Sequence, residues 1–394
     1  MSNNLLLSIF LVVLFSNIQL IAQNNSFFTF KNGIRIVAPD SSASFNFNFN
    51  LQNRMDIKTE ETDDWSIDEF SAHIKRFKMK FTGFVFNPKI TYKIQLAMAP
   101  RNISSSTLGQ APRVMYDAIF YYEFDSGFKL GFGQTALPGN RQRINSASAL
   151  QMVDRSLANS TYNLDLDYGF HGEYKFKGQK PVTLYGAITT GEGQNWVVVD
   201  KAGFSYTGRV DWYPLGAFLS NGAYKEADLE WHPSPRLMMG LAYNYNENAR
   251  RTGGQRGGLL DGERDISTLY ADLILKYQGW SFQADYYLRN SENPAGPLPG
   301  ASPMVYEGTG YNFQFGKYFR SKWEIVGQLS TIVPGDEIEA FTAEKRDWTV
   351  GINRYIYGRD VKLQADFTLH QTRDVFPDEF SGKLGASLQA QIGF

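Results

Sequence analysis

The chain of 394 residues contains no cysteine. That absence excludes thiolate catalysis, cysteine-ligated metal, a disulfide framework and an acylated N-terminal cysteine. Histidine is scarce: His73, His171, His232 and His370 are the only four, and none has a partner at metal-ligand spacing. Neither sign of charge dominates, with 39 basic and 40 acidic residues and a formal net charge of −1. No basic block stands out, so nothing points to nucleic acid. No Gly-x-Ser-x-Gly elbow marks a serine nucleophile, and no enzyme activity is expected. The acidic stretches DGERD (261–265) and PGDEIEA (334–340) fall short of a calcium-binding ligand set. TGEGQN (190–195) is followed by no helix pattern, so it is no phosphate-cradling loop. No metal or cofactor is expected.

Long apolar runs are missing as well. The longest, LLLSIFLVVLF (5–15), suits the core of a signal peptide ending at Ala22, although MSNN before it carries no Lys or Arg. It is short for a membrane span, and nothing after residue 25 resembles a transmembrane helix. Residues 1–22 are therefore expected to be an export signal and 23–43 a periplasmic segment.

What the chain does have is alternation. In SFNFNFNLQ (44–52), Phe45, Phe47, Phe49 and Leu51 take one face of a strand, and Asn46, Asn48, Asn50 and Gln52 the other. The same period of two recurs at Ile90–Met98, Phe204–Trp212, Leu269–Tyr277, Trp280–Leu288 and Val361–Leu369, each about ten residues, the length a tilted strand needs to cross a bilayer. Short turns at 87–89, 125–127, 177–180, 278–279, 320–322 and 358–360 alternate with longer polar stretches, of which 135–165 is the longest. Tyr121, Tyr122, Tyr277, Trp280, Tyr318, Trp323, Tyr355 and Tyr357 gather beside the short turns, as an interfacial belt would. The last strand alternates from Leu384 to a terminal Phe394, an ending favoured by the outer-membrane assembly machinery of Gram-negative bacteria.

AYKEADLEWHPSPRL (223–237) complicates the strand count. Taken as a strand it gives an odd number, which cannot close an antiparallel barrel with both termini on one side. Taken as one long connection over 214–235, it leaves sixteen. The expected fold is all-β: a 16-stranded antiparallel transmembrane β-barrel over 44–394, with short periplasmic turns and long extracellular loops. Such a barrel leaves an aqueous channel, and passage of small solutes is its default use. The loop 135–165 follows the fifth strand, where porins generally fold a loop into the lumen. Its Arg141, Arg143 and Arg155 either face the channel or pair with Asp154 and wall acids; the residues leave both open.

GFGQTALPGNRQR (131–143), LQMVDRS (150–156) and KRFKMKFTGFVFNPKITYKIQL (75–96) resemble the phosphate-selective porin O and P family. VGINRYIYGRDVKLQADFT (350–368) is similar to its penultimate hairpin. The resemblance extends from about residue 27 to Phe394. It implies a homotrimeric outer-membrane channel for ion transport, without cofactor, meeting lipid outside and hydrophilic or anionic solutes within. The positions matching its lumen cations are Arg76, Lys78, Lys80, Lys93 and Arg209, with the loop residues Arg141, Arg143 and Arg155. Two departures weigh against phosphate specificity: Thr-Ala-Leu at 135–137, and Gln328 where many members carry Arg. The acids Asp117, Asp211, Asp272, Asp285, Glu324 and Asp366 share the lumen parity, so a mixed-charge general pore is also consistent. An alternative use is a structural or adhesive surface platform whose lumen the 135–165 loop closes.

Overall fold

The computed structural model describes residues 28–29, 33–59, 66–103, 112–195, 203–296, 303–373 and 379–394. The expected export signal at 1–22 lies outside them. Two short strands, β1 (Phe28–Thr29) and β2 (Ile34–Val37), come first. The long strands follow: β3 (Ala43–Thr59), β4 (Ile67–Val85), β5 (Asn87–Ala97), β6 (Met115–Glu123), β7 (Phe128–Ala136) and β8 (Leu166–Phe176). Next are β9 (Val182–Thr189), β10 (Ser205–Trp212), β11 (Arg236–Arg251), β12 (Leu259–Tyr277) and β13 (Trp280–Ser291). The wall ends with β14 (Gly308–Tyr318), β15 (Trp323–Pro334), β16 (Lys345–Tyr357), β17 (Val361–Arg373) and β18 (Phe380–Gly393).

Each strand from β3 onward pairs antiparallel with the next, and β18 pairs back onto β3, Gly385 facing Lys58 and Gly393 facing Asn50. Among the described residues this ring closes a 16-stranded barrel with no free edge. β2 pairs with the first residues of β3 (Ile34 with Phe47) and so prolongs the line of β18 beyond the end of the chain. Phe394 packs edge-on against Phe49, ring centroids 4.6 Å apart.

The period of two sorts the side chains as expected. Val350, Phe367, Ile325, Leu241 and Leu388 stand outward and exposed, while Gln283, Asn312, Asn353 and Gln364 are buried inside. An apolar exterior around a polar interior is the inverse of a soluble core and matches a lipid-facing wall. One expectation is corrected here. Tyr122, Tyr277, Trp280, Trp323 and Tyr357 are exposed on the outer face. Tyr121, Tyr318 and Tyr355 instead share the inner face: Tyr318 pairs across strands with the buried Glu324, and the Tyr355 hydroxyl donates to Glu324 at 2.6 Å. Position beside a turn does not fix the face; parity does, except where a bulge resets it, as between Tyr355 and Tyr357.

The strands also run further than alternation alone indicates. β11 and β12 reach Arg251 and Leu259, across most of the 247–265 stretch that reads as loop. Beyond the membrane both faces meet water, so a polar strand can continue to pair without an apolar side. The 214–235 connection is not a strand: it turns through a short 3-10 segment, Leu219–Tyr224, and folds into the barrel.

Inside the barrel, two apolar clusters fasten two inserted segments. One packs Leu137, Ala158, Tyr162 and Leu164 of the 137–165 loop against Tyr270, Tyr287 and Ile332 of the wall. The other packs Phe218 and Ala223 of the long turn against Met238 and Ile274. Close approach of the loop needs wall glycines. A Cβ on Gly310 would stand 2.6 Å from the Tyr162 ring, and one on Gly316 would stand 2.2 Å from the Gln151 amide. Gly310→Val is therefore expected to destabilise the folded barrel by about 1–3 kcal/mol through overpacking. Thermal unfolding in detergent checks this; an unchanged transition would contradict the packing described.

Candidate functional site: the lumen and its inserted loop

Gly139 to Asp165 leave β7 and run across the interior. Three side-chain caps organise the loop. Asn140 accepts from the Arg143 amide (3.0 Å) at the turn Arg141–Ile144, and Ser146 from the Ser148 amide (3.4 Å). Ser156 accepts from the Asn159 amide (3.1 Å) and starts the helix Leu157–Tyr162.

The loop lies on the acidic part of the wall. The Arg141 amide donates to Asp272 (3.2 Å) and Asn140 to Asp285 (3.4 Å). Gln151 donates to Glu324 (2.6 Å), and the Val153 amide to Asp366 (2.6 Å). Asp211, Asp272, Asp285, Glu324 and Asp366 are all buried, at 0–6% exposure. Of the acids that make the lumen look mixed in sequence, Asp285 and Glu324 are thus covered by neutral donors. Asp366 takes the Val153 amide at the edge of a cavity behind the loop, and Asp211 and Asp272 are held by Arg209. Asp117 is also buried, beside Thr135 (2.6 Å) and Lys93 (2.9 Å).

The other side of the loop faces open space lined with cations. A cavity of about 380 Å³ is bounded by Lys75, Arg76 and Lys78 of β4, Arg101 and Arg113 of the 98–114 connection, Arg143 and Arg155 of the loop, and Arg256. Asp154 and Asp165 are its only carboxylates, among the described residues. Lys78 rests on the Tyr116 ring (3.9 Å to the centroid). Among the described residues, the Arg155 guanidinium donates only to backbone carbonyls, of Gln142 and Asn145 (both 2.8 Å). Burial, then Arg143 and Arg76 nearby, push its pKa down from the usual guanidinium value, the mark of a cation without a matching acid.

A second cavity of about 840 Å³ lies toward the short turns, with Lys80, Lys93, Lys175 and Lys225 on its wall beside Glu173 and Asp360. A third, of about 410 Å³ behind the loop, is mixed: Arg54 and Lys58 face Asp56, Glu69 and Asp347. Lys78 and Lys80 line the first and second cavities respectively. As alternate positions on one strand they stand about 7 Å apart. At that separation two unit charges in water repel by only about 0.6 kcal/mol, so a lumen can carry such a row.

Asp154 is the partition between the first and third cavities. It binds Arg54, Lys75 (3.0 Å) and Arg76 (3.0 Å). Lys75 and Arg76 reach it together because β4 bulges there: Gln52 pairs with Arg76 and Asn53 with Ile74, leaving Lys75 unpaired in the ladder. Burial works against its ionisation, but Arg76, Arg54 and Lys75 outweigh that and hold its carboxyl well below the usual range. A depressed carboxyl pKa contributes stability that is full at neutral pH and fades as pH falls below the ordinary value of about 4. Asp154→Asn is expected to lower the unfolding temperature at pH 7, with the gap to wild type narrowing below pH ~4. A gap that stays constant down to pH ~3 would contradict it.

The sequence-derived candidates thus separate into groups. Arg76, Lys78, Arg143 and Arg155 come together on the first cavity, and Lys80 and Lys93 on the second. Arg143 pairs with Asp165. Arg141 and Arg209 are buried and line none of these three cavities. Arg141 bonds Gln283, and Arg209 forms a two-pronged pair with Asp272 (2.7 and 2.8 Å) while its Nε lies 2.7 Å from Asp211. Sequence reasoning did not single out Lys75, Arg101, Arg113, Tyr116 and Arg256. Lys75 has the wrong parity until the bulge is known. The lumen-parity glycines Gly310 and Gly316, on a strand whose other inward residues include Asn312 and Gln314, were the available sign that something lies on that wall.

A closed barrel with a loop folded into a charged lumen defines an outer-membrane channel of the porin class. The model of the family described as "Phosphate-selective porin O and P" matches residues 45–392, and the chain belongs to that family. No curated protein sequence matches the chain. Solved structures share the fold. The outer membrane channel DcaP of Acinetobacter baumannii is 12% identical, with a TM-score of 0.57 over 92% of this chain and 100% of that one. OprB of Pseudomonas putida is 10% identical (TM-score 0.54, covering 89% and 94%). The anion-selective porin from Comamonas acidovorans is 9% identical (TM-score 0.54, covering 89% and 100%).

Proposed function

We propose that this channel passes small hydrophilic solutes by diffusion with a preference for anions, phosphate among them. The observation that carries the reading is the sorting of charge by the loop. Wall acids lie beneath it, and the open side meets Lys75, Arg76, Lys78, Arg143, Arg155 and Arg256. A cleft lined by one sign of charge raises the local concentration of counter-ions, so anions enter more readily than cations of equal size. The family's description and the anion selectivity stated for the Comamonas porin agree with this reading. Residues 1–22 serve as the export signal, 23–43 lie on the periplasmic side, and the barrel works as a homotrimer.

A second reading has its own observation. The 137–165 loop and the 213–235 turn enter from opposite mouths and meet inside, Glu226 donating its amide to the Ala149 carbonyl (3.1 Å). That arrangement also fits a barrel closed to solutes and used as a surface platform. Purified protein in a planar bilayer separates the two. Stepwise single-channel currents support the porin; their absence, with the barrel folded, overturns it in favour of the platform.

A further inference from the structure

The 213–235 segment is not spare connection. It is tied to the wall at several points: the Tyr224 hydroxyl donates to Asp211, and Lys276 donates to the carbonyls of Gly222 (2.8 Å) and Ala227 (2.9 Å). Arg359, in the turn between β16 and β17, binds Glu230 (2.9 and 3.0 Å). Asp228 and His232 bond each other at zero exposure, and His232 Nε2 accepts the Leu219 amide (3.0 Å). A segment anchored on β10, β12 and a neighbouring turn is a fixed shelf.

The shelf meets the constriction loop through Glu226, which is fully buried. Its carboxylate accepts the Gln151 amide (2.7 Å) and the Gln314 side chain (3.2 Å). No ion pair to Glu226 occurs among the described residues; its direct hydrogen bonds come from neutral donors, with Arg155 and Lys362 acting on it only at longer range. On the opposite face of the loop, Lys362 donates to the Leu150 carbonyl (2.7 Å) and Asn353 to the Gln151 carbonyl (2.8 Å). Residues 149–151 are therefore gripped from both sides. Gln151 to Val153 carry the donors that cover Glu324 and Asp366, and Asp154 and Arg155 follow directly.

We infer that the 213–235 segment is the second half of the constriction, and that Glu226 is a positioning residue holding the loop so that its cationic side meets the channel. This rests on the reading of the protein as a conducting porin. Without Glu226, the Gln151 amide loses its acceptor in a buried site, and the loop tip is free to lift from the wall acids.

The test compares wild type with Glu226→Ala and Glu226→Gln in lipid bilayers and by amide hydrogen exchange of the detergent-solubilised barrel. Glu226→Ala should give noisier open-channel current, a smaller anion preference, and amide exchange at 149–153 faster by tenfold or more. Strand amides of β13 and β14 should stay protected. Glu226→Gln keeps one acceptor oxygen and should restore most of the wild-type exchange. Exchange at 149–153 unchanged in Glu226→Ala, or equally fast in Glu226→Gln, overturns the assignment. Lys276→Met, which cuts the shelf from β12 without touching the loop, provides a second variant expected to act in the same direction if Glu226→Ala does not fold. Loss of current in wild type itself would instead remove the porin reading, and the exchange result would still decide the role of Glu226.

Discussion

Excising residues 143–155 is expected to raise single-channel conductance severalfold and to abolish most of the anion preference. Gln142 and Ser156 can be joined because they already lie side by side: the Gln142 side chain accepts from both the Ser156 amide (3.1 Å) and its hydroxyl (2.8 Å). The cut leaves the helix Leu157–Tyr162 and its apolar seat on the wall. It removes Arg143 and Arg155 from the channel and uncovers Glu324, Asp366 and Glu226, whose donors Gln151 and Val153 are lost. Both changes act in one direction, toward a wider lumen of mixed sign. The closed wall does not depend on the loop for its hydrogen bonds, so the barrel should still fold. Conductance and reversal potential of the shortened protein provide the check, and an undiminished anion preference would show that the loop does not sort the charge.

Reversing two charges should have a comparable effect without widening the channel. Lys78→Glu with Arg143→Glu replaces two of the cations on the first cavity by acids. Arg143 also neutralises Asp165, so its reversal leaves that carboxylate facing a second negative group. The anion-to-cation permeability ratio should fall on the order of tenfold, the scale by which single-sign clefts concentrate counter-ions. Lys175→Glu is a suitable comparison, because Lys175 already pairs with Glu173 (2.6 Å) and is 63% exposed; its effect should be small. A shift in Lys175→Glu half as large as that of the double variant, in proportion to the charge changed, would mean that net charge, and not the first cavity, governs selectivity.

The wall was largely legible in the sequence. A period of two is enforced by lipid on one side and water on the other, so Phe45, Tyr206 and Leu273 declared their face without any tertiary contact. The reading of 214–235 as a connection rested on closure, an odd strand count being unable to complete the barrel, and Glu226, Asp228 and Glu230 do lie inside the barrel mouth rather than in a strand. The lumen was less legible, because parity says that a side chain points inward but not what lies above it. Arg209 and Lys78 carry equal charge and both have lumen parity; Asp211 and Asp272 bury one, while the other borders open space. Asp285 and Glu324 look like channel acids until the loop is laid on them. Such masking depends on contacts 100 or more residues apart, such as Gln151 to Glu324 and Val153 to Asp366, which no local pattern encodes. Lys75 was hidden for a different reason: the bulge at this residue reverses the parity of the part of β4 that precedes it.

The most direct test of the whole account is the zero-current potential of the wild-type channel across a KCl gradient, repeated with phosphate added. Sorting of charge by the loop predicts a potential of the sign set by chloride, with phosphate reducing the chloride current. A potential near zero, or of the sign set by potassium, would contradict it, since the acids beneath the loop would then be acting on the permeating ions.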